Sequence, residues 1–116
     1  CDSGSSGGSM PAGTCNYFNT FSFEPECKEY TGSAWTQTSA DENCQAGQVG
    51  ADPGTWSENL ECEVDPTLGW CAVPDSEGLD YVIQIGGGDP GDCGTAAGNC
   101  AGFLQGVFTP SSICTP

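Results

Sequence analysis

Leu79-Asp-Tyr-Val-Ile-Gln-Ile85 is the stretch on which the reading of this chain turns. Its alternation sets Tyr81, Ile83 and Ile85 on one face, and its β-branched and aromatic content predicts a strand. The glycine-rich loop Gly86-Gly-Gly88-Asp-Pro-Gly91 stops that strand, and a second helical turn is expected over Thr95 to Ala101. Working backwards, Cys71-Ala-Val-Pro reads as an opening strand. The first half of the chain carries matching signals. Cys27-Lys-Glu-Tyr30 reads as an opening strand, and Ser39-Ala-Asp-Glu42 as a capping box for a short helix from about 40 to 47. Tyr17 to Phe23 adds aromatic and β-branched residues with imperfect alternation.

A near-repeat organises these pieces. Asn43-Cys44-Gln-Ala-Gly47 leads to Gly54-Thr-Trp56-Ser and Cys62; Asn99-Cys100-Ala-Gly102 leads to Gly106-Val-Phe108-Thr and Cys114. Both end as Gly-x-aromatic-Ser/Thr-x₄-Cys. Either duplication or chance matching in a Cys/Gly-rich chain produces such a pair, and duplication is the favoured reading. The expected fold is a small disulfide-rich α+β domain: short antiparallel strands, one or two short helices, and two related half-units near 27–62 and 71–114. Residues 1–14, rich in Gly and Ser, read as a flexible tether to a domain over 15–116.

Composition explains why sulfur matters here. Leu, Ile, Val and Phe number 17 of 116 residues, and the net charge is −15. That balance alone resembles disordered chains, which bury too little apolar surface to offset ordering entropy. Cysteine points the other way. Nine are present; Cys1 is the odd one, and Cys15, Cys27, Cys44, Cys62, Cys71, Cys93, Cys100 and Cys114 make four potential disulfides. Each typically stabilises by roughly 2–4 kcal/mol, and such a framework forms in an exported, oxidising compartment. If the repeat is real, Cys44–Cys62 and Cys100–Cys114 are equivalent bridges. No close C-x-x-C pair and no histidine supports zinc. Lys28 is the only basic side chain, which argues against nucleic acid and against docking flat on anionic lipid.

Catalytic signatures fail on context. Gly86 to Gly91 matches the dinucleotide pattern G-x-G-x-x-G, but no acid follows Asp92 to hold a ribose. Gly4-Ser-Ser6-Gly-Gly8 formally matches a nucleophile elbow, yet it lies in the tether of a chain without histidine. The expectation is therefore no enzyme and no cofactor. Ca²⁺ is the one candidate ion, through Asp75, Glu77, Asp80, Asp89 and Asp92 in Gly-containing loops that lack EF-hand order. Trp35, Trp56, Trp70, Tyr30 and Tyr81 are expected mostly in the core, with one or two left outside for a sugar or a protein.

The run Cys27-Lys-Glu-Tyr-Thr-Gly-Ser, a capped helix with Cys44, then Gly-Thr-Trp-Ser and Cys62 resembles small cysteine-rich surface lipoproteins of Gram-negative bacteria. The resemblance implies export, lipid on Cys1 and an anchored periplasmic or cell-surface location; Asp2 resembles an inner-membrane retention signal. The function expected is a non-enzymatic, lipid-anchored accessory subunit of an envelope protein complex or surface polymer, touching the membrane through lipid alone. Two alternatives stand beside it: a surface module binding glycan or Ca²⁺, and a secreted polymer subunit cross-linked through Cys1.

Overall fold

Tyr81–Gly86 forms strand β5 near the middle of a six-stranded antiparallel sheet. The computed structural model describes residues 12–20, 24–46, 54–58, 62 and 64–115. Its other elements are β1 (Thr14–Asn19), β2 (Glu24–Glu29), α1 (Gln37–Ala46), β3 (Thr55–Ser57), β4 (Thr67–Val73), α2 (Cys93–Gly102) and β6 (Val107–Pro110). The strand order is β3-β1-β2-β5-β4-β6. The expected α+β domain of two related half-units is corrected by this finding. Strands dominate, and pairing of β2 with β5, Lys28 opposite Ile83, carries one sheet unbroken from edge to edge.

The sheet exceeds the expectation because its strands are not hydrophobic runs. β1 and β2 read TCNYFN and EPECKE, and they bury Thr14, Glu26 and Lys28 beside two cysteines. Hydropathy alternation misses strands that bury polar groups. The segment Tyr17 to Phe23 is accordingly not one strand. β1 ends at Asn19, β2 begins at Glu24, and 21–23 lie outside the described residues. Regular structure also reaches into the expected tether. Ala12 N donates to the Tyr30 carbonyl, and Thr14 opens β1.

Antiparallel register lines up Trp56, Cys15, Lys28, Ile83, Cys71 and Phe108 in one row across all six strands. Both helices lie on that face, because the row's two cysteines are bonded to them: Cys15 to Cys44 of α1 and Cys71 to Cys100 of α2. Cys27 points to the opposite face by alternation and bonds Cys62, while Cys93 at the head of α2 bonds Cys114 near the chain's end. The expected Cys44–Cys62 and Cys100–Cys114 bridges are therefore not formed. A helical cysteine above the sheet finds its partner on the strand face below, not in the segment after the next strand. The tight spots are glycines: a Cβ on Gly54 or Gly106 would stand 2.2 Å from Cys15 Sγ or 2.6 Å from Cys71 Sγ.

Two small cores result. Leu68, Cys71, Ile83, Ile85, Ala96 and Cys100 fill one, and Cys15, Tyr30, Ala40 and Cys44 the other, with Trp35 and Trp56 packed against it. Helix α1 starts earlier than its sequence signature implied. Ser39 N donates to Thr36 Oγ1 and Thr36 N donates to Ser39 Oγ, both at 3.0 Å, so the reciprocal cap is Thr36/Ser39. Between β4 and β5, Asp75 Oδ2 accepts from the N–H groups of Glu77 and Leu79, and Gly78 takes the left-handed φ of 82° that closes the turn.

Candidate functional site

The most unusual chemistry lies where β2 passes beneath α1. Alternation puts Glu26 and Lys28 on the helix-bearing face, and both are buried, at 7% and 3% exposure. Lys28 is the chain's sole cation, yet among the described residues no carboxylate pairs with it. Its ammonium instead donates to Asn43 Oδ1 at 3.1 Å and sits 4.5 Å from the Tyr81 ring centroid and 5.4 Å from that of Tyr30. Burial lowers its pKa from 10.5 to about 8. Tyr30 OH donates to the same Asn43 oxygen at 2.8 Å, so one carboxamide oxygen receives two donors. Which end of the amide faces them follows from that demand: only the oxygen accepts.

Glu26 turns the other way. It accepts from Tyr17 OH at 2.9 Å and Asn19 Nδ2 at 3.1 Å. Burial raises its pKa, and those two bonds, which favour the charged form, offset part of the rise. Tyr17, Tyr30 and Tyr81 are all shifted up, chiefly by burial. Their hydroxyls stay protonated as donors at any physiological pH.

The second feature is the opposite face, on which no helix lies among the described residues. The connection carrying Cys62 and Val64 crosses part of it, where Cys62 N donates to Glu29 Oε2 and Val64 N to Gln84 Oε1. Beyond that crossing, register places Trp70 and Ala72 of β4 beside Thr109 and Val107 of β6, all exposed. Trp70 is 37% and Val107 66% exposed. Phe18 and Phe103 are also exposed, at 42% and 84%, whereas Tyr30 is fully buried, meets Trp35 edge-on at 4.7 Å, and Trp35 Nε1 donates to the Asp80 carbonyl.

The proposed Ca²⁺ residues are not brought together. Asp75 is engaged by its own turn, Asp89 Oδ1 accepts from Gly91 N at 2.8 Å, and among the described residues no group of three or more acids, cysteines or histidines could hold a metal. Gly86 to Gly91 links β5 to the short 3₁₀ turn Pro90–Asp92 that precedes α2. Cys1, Asp2 and the Gly4–Gly8 motif fall outside the described residues. Sequence reading missed the Lys28–Asn43–Tyr30 group altogether. The available signal was a single lysine among sixteen acids, set inside a strand.

Compared with known proteins, the chain matches no family model, no curated protein and no solved structure. The four disulfides themselves point to an oxidising, exported setting. Among the described residues no helix is long and apolar enough to cross a membrane.

Proposed function

We propose that this chain is a non-enzymatic accessory module of an exported cell-envelope assembly, docking a partner protein through the uncovered β4–β6 region of its sheet. The observation that carries the reading is the exposed Trp70–Val107 surface on an exterior with no basic side chain, Lys28 being buried. Tryptophan at a flat apolar centre is the residue type that dominates binding energy in protein interfaces. The partner must supply the positive charge, because two like acidic surfaces repel. Attachment to a bacterial membrane through lipid on Cys1 belongs to the same reading, and an intact mass carrying a diacylglyceryl group tests it.

The docking reading is tested by cross-linking in native membranes, with Trp70→Ala and Val107→Asp against the parent chain. Each substitution should weaken a specific cross-linked complex at least tenfold while leaving the fold intact. Recovery of the parent free of any protein in mild detergent at low salt sinks it. Trp70 also favours a second reading, stacking on a sugar ring. A glycan array on which Trp70→Ala binds as the parent does removes that one.

A further inference from the structure

Lys28 and Asn43 meet because of a nearby disulfide. Cys15 is the cross-strand partner of Lys28, and Cys44 follows Asn43 in α1. The Cys15–Cys44 bond therefore clamps the Asn43 carboxamide directly over the lysine. We propose that Lys28 and Asn43 become joined by an intramolecular isopeptide bond, formed by the folded protein on itself. This goes beyond the docking function and does not depend on it.

The reaction is an aminolysis. The neutral amine attacks Cγ of Asn43, one bond from the oxygen that Nζ now touches at 3.1 Å. A bond forms between Nζ and Cγ, the bond from Cγ to Nδ2 breaks, and nitrogen leaves as ammonia carrying a proton taken from the attacking amine. No oxidant or other co-reactant is consumed.

Four observations support the step. Burial leaves the amine with a pKa of about 8, so roughly a tenth is uncharged at pH 7. The Tyr30 hydroxyl at 2.8 Å from Oδ1 stands where negative charge grows in the tetrahedral intermediate. No carboxylate among the described residues holds the amine in its charged form. Lys28 is only 3% exposed, so little water surrounds the amine that faces the half-buried Asn43. Fixed juxtaposition of two groups is worth effective molarities of about 10⁵–10⁸ M, and the reaction need occur only once per molecule.

The sequence supplies an unusually clean test. Lys28 is the only site in the chain that trypsin recognises, since arginine is absent. After reduction, alkylation and denaturation, the linked chain should resist trypsin entirely, because its lysine is acylated. A glutamate-specific digest should yield a branched peptide joining Lys28 to Asn43, lighter than its two parts by one ammonia. Lys28→Arg and Asn43→Ala should each restore the full unlinked mass. Tyr30→Phe should slow link formation about 10²-fold, the effect of losing one donor to the intermediate. Should the parent chain, natively folded, be cut by trypsin after Lys28 and show no loss of ammonia, the proposal is overturned. That readout requires no variant to fold.

Discussion

At the scale of single residues, Glu26 and Lys28 show how a chain so rich in acid hides its exceptions. A carboxyl whose pKa is raised on folding adds stability below its ordinary value of 4.5, and loses it as pH climbs through the folded value. The parent chain should therefore lose stability relative to Glu26→Gln as pH rises from about 4.5 towards neutrality, read by urea unfolding at several pH values. A flat or opposite difference would mean that Glu26 ionises in the fold without cost. Tyr17→Phe deletes a hydrogen bond to a buried acid and should cost about 1–3 kcal/mol, since bonds to charged groups are the stronger kind. It should also push Glu26 higher still, because that bond favours the carboxylate. None of this was legible in sequence. Only register turns Glu26 and Lys28 under α1.

At the scale of elements, legibility followed hydrophobic alternation. β5 could be read because Tyr81, Ile83 and Ile85 alternate with smaller or polar neighbours. β2 could be read only from Cys27 onward, and β1 only as an irregular aromatic stretch from Tyr17, since their buried face is cysteine, tyrosine, glutamate and lysine. Helix α1 was placed by a capping signature at Ser39–Glu42, whereas the reciprocal bonds belong to Thr36 and Ser39. Thr36→Ala should accordingly cost about 1 kcal/mol, measured by thermal unfolding, and Glu42→Ala should cost less. Gly106→Ala is the harsher test. Its Cβ would press on Cys71 Sγ at 2.6 Å and on the Ala72 carbonyl at 2.8 Å, so a loss of about 1–3 kcal/mol or more is expected. A neutral result would show that β6 shifts freely against β4.

At the scale of the molecule, sequence reading found the need for disulfides but not their pairing. Composition shows that a core of so few aliphatic residues needs reinforcement. Pairing depends on which face each strand residue occupies, and register sets that only after the chain folds. Four bridges at roughly 2–4 kcal/mol each are comparable with the whole stability of a small domain. Full reduction should therefore unfold the chain, giving a random-coil far-UV spectrum that high salt restores only in part, because self-repulsion at net charge −15 persists. Retained native spectrum after complete reduction would show that packing alone suffices. An isopeptide between Lys28 and Asn43 would survive that treatment and leave β2 tied to α1.

The placement of the bridges also governs what pulling on the ends can do. Cys15–Cys44 overlaps Cys27–Cys62 in sequence, and Cys71–Cys100 overlaps Cys93–Cys114, so none joins one group to the other. Under tension each group can be drawn out only along its shorter covalent route, from Cys15 to Cys27 and across to Cys62 in the first, and from Cys71 across to Cys100 and on to Cys114 in the second. No bridge spans the hydrogen-bonded boundary between β2 and β5, so it is free to shear, and the chain released there runs from Cys62 to Cys71. That is about 30 Å at full extension. Such a chain would thus yield in a few short steps under load and then go taut.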